Sequence, residues 1–208
     1  MTMTSTTLNG SHVRLEPLTR AHIPDLVEAA GTDRAVFPWS AVPIGSGEMS
    51  KYVQTAIAWR EAGTALPFAT VRIADARVIG SSRFFLLERW EWPAGHLEAA
   101  RTTPDACEIG YTWLTPAAMR TAANTEAKLL MLTFAFETWR VQRVCLHTDA
   151  RNERSRKAML RIGAQFEGVL RAHRLASDLI PRDSARYSIV AAEWPAVKAR
   201  LEERLAAR

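Results

Sequence analysis

Cys107-Glu108-Ile109-Gly110-Tyr111-Thr112-Trp113-Leu114, then Thr115-Pro116-Ala117-Ala118-Met119, then Arg120-Thr121-Ala122-Ala123-Asn124-Thr125, is the stretch on which the fold turns. Ala106 to Leu114 alternates like a half-buried strand, with Cys107, Ile109, Tyr111 and Trp113 on one face and Glu108, Gly110 and Thr112 on the other. That alternation assigns Tyr111 to the core. From Asn124 or Thr125 to Trp139 the period becomes helical, with Ala127, Leu130, Met131, Phe134 and Ala135 at core spacing. A tight turn of small residues before a helix aims unpaired backbone N–H groups outward, and the helix dipole adds positive charge. Such a terminus is an anion site suited to a pyrophosphate. The same residues also read as a plain helix capped by Asn124 or Thr125.

Upstream, His12–Leu18 reads as a strand, and Thr19 caps a helix to about Ala30 whose start Pro24 shifts later. A Pro- and Gly-rich loop from Phe37 to Gly47 precedes a helix over Glu48–Ala62. Leu66–Ile73 and Val78–Leu87 form a hairpin. Glu88–Asp105 has no period, so it is an extended loop serving as a lid or substrate wall. Downstream come a strand over Val141–Thr148, a helix over Asn152–Ile162 stopped by Gly163, strands over Gln165–Leu175 and Ser184–Ala192, and a helix over Trp194–Ala207. No repeat or interior linker interrupts the series, so residues 1–208 read as a single α/β domain.

The chain has 208 residues, 48% apolar and 24% charged, enough to bury a core without staples. No apolar run is long enough for a membrane span. Met1–Thr7 reads as a flexible lead-in without the apolar segment of a signal peptide. Cys107 and Cys145 lie in apolar strands, as expected of two buried thiols in a reduced, cytoplasmic protein. No Cys/His cluster has metal-ligand spacing, so no metal is expected. The net charge of +5 is scattered, and its densest cluster is Arg151, Arg154, Arg156, Lys157 and Arg161. That cluster suits a phosphorylated cofactor, a nucleic-acid backbone or simply a solvated helix face.

The runs C-E-I-G-Y-T-W-L, R-T-A-A-N-T-E-A-K and T-D-A-R-N-E-R-S-R-K-A-M-L-R-I-G-A together resemble the GNAT superfamily of N-acetyltransferases. Within it they are similar to the Rim-type branch, the ribosomal-protein alanine acetyltransferases. The resemblance spans Leu8–Pro195 in element order and is specific from Glu108 to Leu170. It implies a mixed, mostly antiparallel sheet of about seven strands, flanked by helices and splayed between the fourth and fifth strands. It implies acetyl-CoA as co-substrate and an amine acceptor: a protein N-terminus, a lysine or a small molecule. The coenzyme-binding turn of the superfamily reads Q/R-x-x-G-x-G/A. Here Arg120 fills its first position, Ala123 its first glycine and Thr125 its final small residue. Ala123 and Thr125 depart from glycine, which is harmless only where no positive φ is required.

The resemblance thus assigns the coenzyme to Tyr111, Thr112, Trp113 and Leu114, to Arg120, Thr121, Ala122, Ala123, Asn124 and Thr125, and to Asn152, Arg154 and Arg156. A freed N–H near Tyr111 or Thr112 would hold the thioester oxygen. Asn152 reads equally as a helix N-cap, and Ser155 as either the acid for the leaving thiolate or a solvated serine. Glu108, the one carboxylate on its strand, is the candidate base, or else a partner for one of the arginines. Phe37, Trp39, Tyr52, Trp90, Trp92 and His96 are the candidate acceptor contacts; the two tryptophans of the loop could equally pack a homodimer contact, the alternative to a monomer. Two rival readings stay open: a catalytically idle acyl-CoA-binding scaffold and a basic nucleic-acid-binding protein.

Overall fold

The computed structural model describes residues 6–176 and 179–207. Its strands are β1 (Leu8–Asn9), β2 (Val13–Pro17), β3 (Ala65–Arg72), β4 (Val78–Glu88), β5 (Ala106–Leu114), β6 (Arg143–Asp149), β7 (Gln165–Leu175) and β8 (Pro181–Val190). Its helices are α1 (Ile23–Ala30), α2 (Gly45–Glu61), α3 (Ala122–Thr133), α4 (Glu153–Arg161) and α5 (Trp194–Ala206). The strands form one eight-stranded sheet in the order β1-β2-β3-β4-β5-β6-β8-β7. Every neighbouring pair is antiparallel except β5–β6, which is parallel. The strand beyond the expected seven is β1, whose two residues are too short to carry a sequence pattern. Most of the expected lead-in, residues 1–7, lies outside the described residues.

Two apolar cores sandwich the sheet. On one face Cys107, Ile109, Val144, Leu146, Ala185, Tyr187 and Ile189 pack against Ala127, Met131 and Ala135 and against Val197 and Leu201 of α5. On the other, Ala69, Val71 and Trp113 pack against Leu26 of α1 and Met49, Val53 and Ala56 of α2. Among the described residues no helix is long and apolar enough to cross a membrane. Cys107 and Cys145 are buried and unpaired, and burial pushes the Cys107 thiol well up.

β8 begins at Pro181 rather than Ser184, which brings Arg182 into the strand, and three helix starts differ from expectation for local reasons. Thr19 heads a single 3-10 turn (Arg20–His22), and α1 follows with Pro24 in its first turn, where a missing N–H costs nothing. α2 begins at Gly45, and the Glu48 carboxylate accepts the Ile44 N–H at 3.0 Å. α3 begins at Ala122 rather than at Asn124 or Thr125. Its cap is Thr121, whose Oγ1 accepts the Ala123 N–H at 3.2 Å. The helix then closes through a π turn over Phe134–Thr138.

The larger correction lies inside β5. Arg83 pairs with Gly110 and Ser81 with Trp113, so Tyr111 and Thr112 together stand opposite Ser82 alone. This bulge puts Tyr111 at φ +52° and reverses the alternation beyond it. Trp113 therefore joins the α1/α2 core, whereas Cys107 and Ile109 belong to the α3 core. Tyr111, expected in the core, is 44% exposed.

α3 also carries a carboxylate where an amphipathic helix would place an apolar residue. Buried Glu126 accepts the backbone N–H groups of Ser11, His12 and Val13 at 2.8, 2.7 and 2.6 Å. It thereby fastens the turn between β1 and β2 to α3. Gly10 must be glycine here, because a Cβ would sit 2.5 Å from the Glu126 carboxyl. Glu126→Ala leaves three donors without their charged acceptor and should cost about 3 kcal/mol or more in denaturant unfolding, with Glu126→Gln costing clearly less. Equal, sub-kilocalorie losses for both variants would show that this carboxylate fastens nothing.

Candidate active site

β5 and β6 run paired for only three residue pairs: Ala106–Arg143, Cys107–Val144 and Glu108–Cys145. Beyond them β5 continues against β4 alone and β6 against β8 alone. Two facing edges then diverge, offering backbone donors and acceptors that an extended, amide-bearing ligand can satisfy. The wedge opens toward the end of β5, where the chain turns into α3.

At that end the N–H groups of Ala122 and Asn124 start α3 without intrahelical partners, while Thr121 Oγ1 takes that of Ala123. Positive φ falls at Arg120 (+64°) and not at Ala123 or Thr125. The two departures from glycine therefore strain nothing; both side chains are buried inward, leaving the amide face clear. Arg154 Nη1 lies 3.3 Å from Met119 Sδ, which places the first turn of α4 beside this loop. Arg156 turns elsewhere: its Nε donates to the Tyr187 hydroxyl at 3.2 Å and its Nη1 to the Ala150 carbonyl at 3.3 Å. Asn152 is the cap of α4, its Oδ1 accepting the Ser155 N–H at 3.0 Å, and Ser155 is half-buried in that first turn.

Glu108 lies on the α2-facing side of β5 and is 3% exposed. Arg174 of β7 donates to it, Nη2 to Oε2 at 3.0 Å and Nη1 to Oε1 at 3.4 Å, so the expected arginine partner exists. His147 Nδ1 is 2.9 Å from Glu108 Oε2, close enough for an ion pair but not aligned for a hydrogen bond. The His173 ring is 5.1 Å from that of His147. Burial, then the Arg174 charge, holds His173 below its ordinary value. Nearby, Asp149 is held low by the guanidinium of Arg151, which also stacks 4.4 Å over Trp39.

Of the candidate acceptor contacts, Trp39 and Tyr52 lie on this face. Tyr52 donates to Ser81 Oγ at 3.1 Å and lies 4.6 Å under the Arg83 guanidinium. Phe37 does not reach the face; it is buried, edge-on to Trp113 at 6.1 Å. Trp113 is likewise a core side chain, and Leu114 packs in the opposite core. Trp92 stacks on His96 at 4.5 Å and tilts on Trp90 at 5.8 Å. Asp105 pins that loop, accepting Trp90 N–H at 2.8 Å and Trp92 Nε1 at 2.9 Å, and Arg101 ties it to the Trp139 carbonyl at 2.7 Å. The structure does not bring these three rings to Glu108. Among the described residues no group of three or more His, Cys, Asp or Glu could hold a metal ion.

Sequence reasoning missed Arg83, Lys128, His147, His173, Arg174 and Arg182. Arg83 and Lys128 had a signal, since a charge set among the apolar residues of a strand or helix is an anomaly. The others come together only through pairing of distant strands.

The sequence matches the family described as Acetyltransferase (GNAT) domain over residues 12–165. No curated protein matches. Among solved structures, a GCN5-related N-acetyltransferase from Brucella melitensis superposes with TM-score 0.82 at 26% identity, over 99% of this chain and 87% of that one. A T. thermophilus protein described as an acetyltransferase gives 0.78 at 34% identity, over 99% and 100%. Mycobacterium smegmatis RimJ in complex with CoA-disulfide shares the fold, with TM-score 0.75 at 19% identity over 96% and 92%.

Across β5 from Glu108, buried Lys128 donates to Thr112 Oγ1 at 2.7 Å and Ser82 Oγ at 3.2 Å. Burial lowers its amine from 10.5 to about 7. The unfolded chain therefore binds one more proton between those values, so stability rises with pH there, by up to about 1.4 kcal/mol per pH unit. Lys128→Met should remove that slope from unfolding measured between pH 7 and pH 10; an unchanged slope would show that the amine is charged in the fold.

Proposed function

The chain belongs to the GNAT acetyltransferase family, and on that premise we propose that it transfers acetyl from acetyl-CoA to a primary amine in a ternary complex. The observation that carries this reading is the wedge that opens after Glu108, with the amide-lined start of α3 at its wide end. The residues fit the co-substrate. The α3 amides, with Arg120 and Arg154 beside them, hold the pyrophosphate, and the exposed edges of β5 and β6 bond the pantetheine amides. Acetyl-CoA supplies an activated acyl carbon.

Glu108 takes a proton from the acceptor ammonium, with Arg174 fixing the carboxylate and His147 beside it. The neutral amine nitrogen then bonds to the acyl carbon and the carbon–sulfur bond breaks. Backbone N–H at the Tyr111–Thr112 bulge stabilises the negative charge that develops on the acyl oxygen. Ser155, in the first turn of α4, gives its proton to the departing thiolate and regains one from the second proton that the amide nitrogen sheds.

The idle-scaffold reading drew on the missing glycines, and neither Ala123 nor Thr125 needs a glycine conformation. The nucleic-acid reading drew on the basic cluster, yet Arg151 is bound to Asp149, Lys157 to Glu153 and Arg156 to Tyr187. Such a cluster makes a poor stripe for a polynucleotide backbone.

Calorimetric titration should show acetyl-CoA binding in the micromolar range, with amine-dependent CoA release following. Glu108→Gln should lower kcat by about a hundredfold or more while leaving acetyl-CoA affinity within about threefold. An unchanged kcat would remove Glu108 from proton transfer, and absence of acetyl-CoA binding to folded protein would overturn the donor site.

A further inference from the structure

β8 presents one face to α3 and the other to the cleft. Ala185, Tyr187 and Ile189 are buried in the α3-side core. By the two-residue period Arg182, Ser184, Arg186 and Ser188 therefore share the cleft-side face. Two of these four are committed: Arg186 Nε lies 3.2 Å from Glu167 Oε2, and Ser188 donates to Glu167 Oε1 at 2.8 Å. The other two are not. Arg182 Nε and Ser184 Oγ are buried and have no hydrogen-bond partner among the described residues, and Ser184 is 0% exposed.

Register sets these two beside the groups already described. Arg182 is the cross-strand partner of Arg174, and Ser184 is that of Asp149. Both neighbouring carboxylates give their direct contacts to other arginines, Glu108 to Arg174 at 3.0 Å and Asp149 to Arg151 at 2.8 Å. Arg182 makes no ion pair within contact distance among the described residues; it is half-buried, and Asp149 and Glu108 attract it from a distance while the charges of Arg174 and Arg151 crowd it. His147 Nε2 and His173 Nδ1 are also buried without a hydrogen-bond partner among the described residues. Leaving such donors unsatisfied costs on the order of 1–3 kcal/mol each, and more for a charged one, so the arrangement calls for an acceptor from outside the chain.

We infer that Arg182, Ser184 and His147 form an anion subsite on the acceptor face, and that the amine acetylated here carries a carboxylate or phosphate that docks in it. This rests on the acetyl-transfer reading and narrows it. The donor set, a guanidinium, a hydroxyl and an imidazole, matches oxyanion recognition. The excess of guanidinium charge there, Arg151, Arg174 and Arg182 against Glu108 and Asp149, disfavours acceptors bearing a second ammonium, such as diamines.

The probe is inorganic phosphate, and separately acetate, titrated at constant ionic strength with CoA saturating so that the α3 phosphate site is filled. One or both anions should bind, about tenfold more weakly to Arg182→Gln, with Arg182→Lys recovering part of the affinity. The tighter of the two identifies the phosphate or the carboxylate source. As acceptors, phosphoethanolamine or β-alanine should exceed ethanolamine and putrescine in kcat/KM by about tenfold or more, and Arg182→Gln should shrink that ratio. Absence of anion binding, equal binding to wild type and Arg182→Gln, or a preference for putrescine would overturn the subsite. Failure of CoA itself to bind would instead overturn the acetyl-transfer reading.

Discussion

The parting of β5 from β6 is the constraint on which the rest of the structure depends. Backbone pairing between them stops at Glu108–Cys145, and three residues later β5 bulges at Tyr111. A bulky residue at positive φ costs on the order of 1–2 kcal/mol and persists only where its surroundings hold it. Here the brace is Arg83, 1% exposed, its guanidinium 4.2 Å from the Tyr111 ring, 4.6 Å from Tyr52 and 5.3 Å from Trp59. Arg83 Nε and Nη2 have no hydrogen-bond partner among the described residues, so the aromatic faces supply the compensation for its charge. Gly110 completes the arrangement, because a Cβ there would meet the Phe85 ring at 2.7 Å. Phe85 in turn packs edge-on against Tyr111 at 5.1 Å.

The bulge also divides the chemistry between the two faces of the sheet. Before it, Glu108 looks toward α2 and meets Arg174 and His147; after it, Thr112 looks toward α3 and meets Lys128. On the proposed function the donor thioester would lie between a polar, cationic face on the amine's side and a helix whose first amides are on the pyrophosphate's side. β7 and β8, last in sequence, supply Arg174, Arg182 and Ser184 to the first of these. The acceptor face is thus completed by strands more than fifty residues downstream of Glu108 in the chain.

Much of this was legible in the sequence. Period-2 and period-3.6 patterns located the long strands and every helix, because those elements bury one face and must alternate accordingly. A helix beginning among the small residues after β5 was legible, though its cap was misplaced: Thr121, Asn124 and Thr125 are all good caps and only geometry chooses among them. The side of β5 taken by Tyr111 and Trp113 was not legible, since a bulge inserts one residue without changing composition and inverts every later position. Phe37, Trp90, Trp92 and His96 misled because an aromatic residue in a loop has the same sequence signature whether it lines a site or packs its own loop. Arg182 and Ser184 were invisible for another reason. Their meaning lies in what neighbouring strands fail to offer them, and that is a property of strand order alone.

A crystal structure with acetyl-CoA tests the central claim most directly. The pantetheine should lie along the free edges of β5 and β6 beyond Glu108, with the pyrophosphate within hydrogen-bonding distance of the Ala122–Asn124 amides. The acyl oxygen should face backbone N–H at the Tyr111–Thr112 bulge. Acetyl-CoA bound elsewhere on the molecule, or β5 and β6 zipped together past Glu108 in its presence, would contradict it.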